Sequence, residues 1–265
     1  MINLYGRDNE AKISIRVEQN HFPDNTLLLK LPNHKIDKVE WLYENDAELF
    51  TLICIRKHYD KDLALILPYI PHARQDRVKN SDDVFTLKYF CEVINSLNFS
   101  KVVVRDAHSN VALALLNRVY QEPIDTYIYE VLKDMNQNTI LFFPDEGAMK
   151  RYSNYFHIPY AFGMKKRNWE TGKIEGLDVI NKEIVKDKNI LIIDDICSRG
   201  GTFLYSAKAL KEAGAKDIYL YITHAENTMV EGEMYNDSNL IKHIYTTNSI
   251  FDKSKDTLNK VSIIH

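Results

Sequence analysis

A chain of 265 residues, 45% hydrophobic and 27% charged, suits one large domain or two of ordinary size, and it can bury a real core. A net charge of −3 gives no global basic field for nucleic acid, and no apolar run approaches the ~18 residues a membrane span needs. Cys54, Cys91 and Cys197 lie far apart without a CxxC pair, which predicts a reducing cytosol and no disulfide framework. The start, Met1-Ile2-Asn3-Leu4-Tyr5-Gly6, lacks the basic-then-apolar order of a signal peptide, so a cytoplasmic location is expected.

In chain order, the apolar runs predict strands at 11–18, 26–31, 63–68, 101–105, 139–143, 189–193, 217–223 and 242–246. Helices are predicted at 46–57, 82–97, 109–119, 147–156 and 202–213. Ser81-Asp82-Asp83 reads as the acidic start of the second helix, whose stripe is Val84, Leu87, Cys91, Ile94 and Leu97. Gly214 reads as the stop of the fifth. Strand and helix alternate, so the fold class is α/β with two halves, each a mostly parallel sheet flanked by helices. The halves are expected at 1–135 and 136–265, joined near Asp134–Asn138.

In such sheets, ligands bind beyond the carboxyl ends of strands. There the run Ile192-Ile193-Asp194-Asp195-Ile196-Cys197-Ser198-Arg199-Gly200-Gly201-Thr202 stands out. A buried strand ends in two carboxylates, and a Gly-Gly-Thr turn opens a helix. Glycines admit close backbone approach, and helix-start N–H groups attract anions. The acids suit ribose hydroxyls or Mg²⁺. The alternative for these residues is a capped turn with solvated acids.

Asp194 to Thr202 resembles the phosphoribosyl-binding loop of type I phosphoribosyltransferases and of ribose-phosphate pyrophosphokinases. Pro68-Tyr69-Ile70-Pro71-His72-Ala73-Arg74-Gln75-Asp76-Arg77 is similar to the PYxxYARQDR segment of the pyrophosphokinases. Asp106-Ala107-His108-Ser109 resembles their DLH motif. Pro144-Asp145-Glu146-Gly147, with Arg151 after it, resembles their PDxGG segment. Met164-Lys165-Lys166-Arg167 falls where they carry a mobile loop with a K-x-R pair, and Phe22-Pro23-Asp24 resembles the start of FPDGE. Thr223-His224 and Thr247-Asn248-Ser249 match further segments, in one order along nearly the whole chain.

The resemblance implies transfer of the β,γ-diphosphate of ATP to the anomeric hydroxyl of a ribose 5-phosphate unit, releasing AMP. It implies ATP binding by Phe22, Arg74, Gln75 and His108, and Mg²⁺ held by His108 and Asp145. Lys165, Arg167 and His108 are the implied catalytic residues. Asp194, Asp195, Ser198, Arg199, Gly200, Gly201 and Thr202 are the implied ribose-phosphate site. The implied partners are ATP, a ribose-phosphate substrate and further copies of the same chain, with no nucleic acid and no membrane. Taken alone, His108 also reads as a structural histidine, Lys165–Arg167 as a solvated basic run, Phe22 as a core-edge aromatic, and Arg74–Arg77 as a surface salt bridge.

The chain departs from the family at three points. The related loops read D-D-x-x-D-T-G-G-T, whereas Ser198 and Arg199 replace the third acid and the threonine. That exchange favours an acceptor with a second phosphate, such as ADP-ribose, beside ribose 5-phosphate. Ser109-Asn110-Val111-Ala112 replaces a glutamine-containing stretch after His108. The chain is also short, with little room for a first helix over 7–21 and none for a last helix, so family assembly contacts are not expected to carry over intact. A phosphoribosyltransferase and a non-catalytic regulatory relative are the alternatives.

Overall fold

The computed structural model describes residues 1–8, 11–59, 62–135, 138–167 and 174–265. The chain forms two compact units, Met1–Pro123 and Ile124–His265.

The first unit contains β1 (Ile2–Asp8), β2 (Ala11–Arg16), β3 (Gln19–His21), β4 (Leu27–Leu29), β5 (Lys35–Trp41), α1 (Glu48–His58) and β6 (Ala64–Leu67). It continues through α2 (Thr86–Ser96), β7 (Lys101–Arg105), α3 (Asn110–Leu115) and β8 (Val119–Glu122). Its six-stranded sheet has the order β2-β1-β5-β6-β7-β8. Pairing is parallel from β5 to β8, while β1 runs antiparallel to both neighbours. A separate β3–β4 ribbon carries the Phe22 turn.

α2 starts later than its sequence suggests. Asp83 does not cap it, because its carboxylate accepts from the backbone N–H of Lys79 and Asn80, and Thr86 opens the helix. Val84 therefore lies outside the stripe and is exposed, while Leu87, Phe90, Cys91 and Ile94 are buried. Burial in that stripe pushes the Cys91 thiol up to about 12.

The second unit contains α4 (Asp125–Lys133), β9 (Thr139–Phe143), α5 (Glu146–Tyr152), β10 (Tyr160–Arg167), β11 (Ile174–Ile180) and β12 (Asn189–Cys197). It ends with α6 (Gly201–Glu212), β13 (Ile218–Ala225), α7 (Glu233–Asn236), β14 (His243–Thr247) and β15 (Val261–Ile264). The seven-stranded sheet has the order β11-β10-β9-β12-β13-β14-β15, parallel except for the β10–β11 hairpin.

β12 is central and apolar on both faces, as a strand covered on both sides must be. Ile190 and Ile192 pack with Phe203, Ala207 and Leu210 of α6. Leu191 and Ile193 pack on the other face with Ile128, Val131, Ala148 and Tyr152. Ile128 and Val131 bring α4 into this second core, so the units divide after Pro123 rather than at 135.

Candidate active site

In the second unit the strand order reverses direction of growth between β9 and β12, and both carboxyl ends carry site residues. After β9, Asp145 caps α5, its Oδ1 accepting from the Ala148 N–H at 3.0 Å. The next helical turn sends Arg151 back toward β12, where its guanidinium meets Asp195 Oδ2 at 2.7 Å. Asp195 is buried, whereas Asp194 is half-buried and its Oδ1 accepts from the Asp195 N–H at 2.9 Å. The sequence reading placed Arg151 in a motif but gave it no role.

Beyond the acids the chain turns through Ser198, Arg199 and Gly200 into α6. Gly200 has φ +75°, the left-handed region, and a Cβ there would lie 2.5 Å from Met234 Cγ. Gly232 is fixed from the other side: its Cβ would meet the Arg199 carbonyl oxygen at 2.1 Å. Gly201 differs from both. Nothing among the described residues lies within 4 Å of its would-be Cβ, and its φ needs no glycine. Packing gives no reason for glycine at 201, the first residue of an α-helix whose start carries no side-chain cap. The backbone N–H groups at such a helix start are donors of the kind that attract anions.

Ser198 and Arg199 are held by acids of the segment after β13. The Ser198 hydroxyl donates to Glu226 Oε2 at 2.6 Å, and Arg199 meets Glu231 at 3.0 Å on an exposed surface. Asp195, nearer to Arg199 in sequence than Glu231, is engaged by Arg151.

In the first unit, β6 and β7 are parallel neighbours whose carboxyl ends lead into the 68–77 segment and the 106–109 turn. Asp106 has φ +39° and is buried, a strained backbone of the kind that clusters at functional sites. The following residues place His108 in a cleft of about 500 Å³ lined also by Arg74, Gln75, Asp76, Arg77 and Lys79. Asp76 ties the two segments together: it accepts from Ser109 Oγ at 2.6 Å and from Arg77 Nε at 2.7 Å. Those two contacts, with Arg77 first, hold its carboxyl down at about 2. Gln75 Oε1 accepts from the Thr86 hydroxyl at 2.7 Å, and Arg74 is exposed.

Phe22 is 49% exposed at the tip of the β3–β4 ribbon. Asp24 is turned into that tip by Thr26, whose N–H and hydroxyl it accepts, which lowers its carboxyl. Lys165 and Arg167 lie on strand β10, paired with β11, rather than on a loop. The mobile loop that the resemblance implies would continue through Asn168, Thr171 and Gly172, which lie outside the described residues.

Among the described residues no group of three or more His, Cys, Asp or Glu side chains forms a metal cage. In the first unit His108 offers a ring nitrogen, and in the second Asp145 offers a carboxylate; each is a donor type that suits Mg²⁺ carried chiefly by substrate phosphates and water. No helix among them is long and apolar enough to cross a membrane.

The second unit thus presents paired acids and a glycine-framed helix start at a sheet switch point. The model of the phosphoribosyl transferase domain matches residues 118–254, just over half the chain, and the chain belongs to that family. Along most of its length it is similar to ribose-phosphate pyrophosphokinases. That of Pyrococcus abyssi is 28% identical over 212 residues, covering 77% of this chain and 70% of the relative. That of Sulfurisphaera tokodaii is 27% identical over 263 residues, covering 94% and 89%. The crystal structure of phosphoribosylpyrophosphate synthetase from Mycobacterium smegmatis has the same fold, with a TM-score of 0.71 at 19% identity over 94% of this chain and 85% of that one.

Proposed function

We propose that the protein moves the β,γ-diphosphate of ATP onto the anomeric hydroxyl of a ribose 5-phosphate unit and releases AMP. What supports this reading is the presence in one chain of two elements suited to phosphates. The second unit has the Asp194–Thr202 loop, with open space where a Gly201 Cβ would stand. The first has the cleft shared by Arg74, Gln75 and His108. A plain phosphoribosyltransferase needs only the loop, and a non-catalytic relative needs neither.

In this reading the first unit's cleft takes ATP, with the Arg74 fork on its phosphates, Gln75 on the nucleoside and Phe22 stacking on adenine. Asp194 and Asp195 bind the 2- and 3-hydroxyls of the acceptor, with Arg151 orienting Asp195. The Gly200-Gly201-Thr202 helix start holds the 5-phosphate, which lies on the favourable end of the α6 dipole. His108 and Asp145, each on its own unit, would be protein ligands for Mg²⁺, which would supply neutralisation of phosphate charge. Lys165 and Arg167 stabilise the charge that moves with the diphosphoryl group, since such transfers depend on positioning and neutralisation. The same reading makes the protein cytosolic, in keeping with three free cysteines, and homo-oligomeric, which sedimentation would check.

The acceptor has a second reading. Arg199 stands at the mouth of the loop with its side chain 74% exposed, and its pairing with Glu231 is a surface ion pair worth about 0–1 kcal/mol. An acceptor with a second phosphate, such as ADP-ribose, competes easily for that guanidinium. Incubation with ATP, Mg²⁺ and each acceptor, followed by kcat/KM for wild type and Arg199→Thr, tests both. AMP formation is expected with at least one acceptor. If the acceptor is ADP-ribose, Arg199→Thr lowers its kcat/KM by about tenfold to a hundredfold more than that of ribose 5-phosphate. A wild type that prefers ribose 5-phosphate by orders of magnitude ends the ADP-ribose reading.

A further inference from the structure

The ribose-phosphate loop lacks a carboxylate at Ser198, where related loops carry their third acid, yet a carboxylate stands against this position. β12 and β13 run parallel with Ile196 opposite His224 and Cys197 opposite Ala225. The Glu226 N–H continues that register by donating to the Cys197 carbonyl at 2.8 Å. The next residues out of the two strands are therefore Ser198 and Glu226, and the Ser198 hydroxyl donates to Glu226 Oε2 at 2.6 Å. The Thr228 hydroxyl reaches the same oxygen at 3.4 Å. Backbone register and side-chain contacts both fix this carboxylate behind the serine.

We infer that Glu226 is a positioning residue for the acceptor and supplies, through Ser198, the negative charge that the loop itself has lost. The inference rests on the diphosphotransferase reading above. A hydroxyl whose proton is committed to a carboxylate presents its lone pairs elsewhere, so Ser198 is set to accept. In ribose 5-phosphate the 2- and 3-hydroxyls are taken by Asp194 and Asp195, the 4-oxygen is in the ring and the 5-oxygen is esterified. The anomeric hydroxyl is the one left for Ser198. Accepting from it orients the attacking oxygen, and the charge behind Ser198 strengthens the bond as that O–H becomes more acidic during attack.

Three variants test this: Glu226→Gln, Ser198→Ala, and the double variant Ser198→Asp/Glu226→Gln, which returns the acid to the loop. Glutamine still accepts the serine bond, so Glu226→Gln removes charge and keeps shape. The kcat for AMP release should fall by about tenfold to a hundredfold in both single variants, the worth of a charge-assisted contact. KM for ribose 5-phosphate should change by no more than about threefold, since transition-state contacts act on kcat. The double variant should recover most of the lost kcat. A Glu226→Gln variant with wild-type kcat overturns the inference. So does a loss confined to KM or to melting temperature that Ser198→Asp fails to rescue, because that pattern belongs to a loop brace. Wild-type protein that releases no AMP with any ribose phosphate refutes the reaction, and this role with it; an active wild type with an indifferent Glu226→Gln refutes the role alone.

Discussion

Asp76 joins two segments that the sequence separates by more than thirty residues, accepting from Arg77 beside it and from Ser109 across the cleft. Its carboxyl sits at about 2 in the folded chain against an ordinary 3.8. A depressed carboxylate stabilises fully above its unfolded value, and the contribution fades as pH falls through the folded one. Asp76→Asn should therefore cost about 1–3 kcal/mol at pH 7, the range for losing charged hydrogen bonds. It should also flatten the fall in stability between about pH 4 and pH 2. Denaturant titrations of both proteins at pH 7 and pH 3 check this, and parallel curves at the two pH values would contradict it. Lys165 and Arg167 are expected to act differently. Replacing either by Ala should lower kcat by about a hundredfold, roughly 3 kcal/mol in the barrier, with little change in KM for ATP. Steady-state kinetics decide, and an unchanged kcat at saturating ATP would reduce them to binding residues.

At the scale of elements, the β12–α6 junction separates glycines that the fold requires from one that packing does not explain. Gly200 has a left-handed backbone and presses on Met234, so Gly200→Ala should lower stability by about 1–2 kcal/mol. Gly201 has open space and ordinary backbone, so Gly201→Ala should leave stability unchanged or slightly raised, since alanine favours a helix. The same methyl group would project into the proposed phosphate seat. Gly201→Ala should therefore weaken ribose 5-phosphate binding by about tenfold or more, as judged by calorimetry beside a thermal melt. Wild-type binding in this variant would mean that the helix start is not the phosphate seat.

For the molecule as a whole, the sequence reveals what local pattern controls. The apolar run into Asp194-Asp195 and the Gly-Gly-Thr turn announce β12, the acids and the start of α6, because strand, turn and helix are contiguous. Gly214 ends α6 as expected, with φ +88°. What stays hidden depends on residues far apart. Glu226 faces Ser198 through the register of two parallel strands, and Arg151 reaches Asp195 from α5, pairings that no local spacing encodes. β5 escapes a period-two reading because the pairing with β1 shifts register at Tyr5 and Gly6, so its buried Ile36, Val39 and Trp41 are unevenly spaced. β10 carries Met164-Lys165-Lys166-Arg167, which reads as a polar loop, and becomes strand through pairing with β11.

Which bond of ATP breaks distinguishes diphosphoryl from phosphoryl transfer. With ATP labelled in the γ-phosphate, Mg²⁺ and ribose 5-phosphate or ADP-ribose, AMP is the expected nucleotide product. The label is expected on the acceptor, within a diphosphate at the anomeric carbon, one for each AMP. ADP as the nucleotide product, with the label on the acceptor as a single phosphate or free in solution, would contradict diphosphoryl transfer.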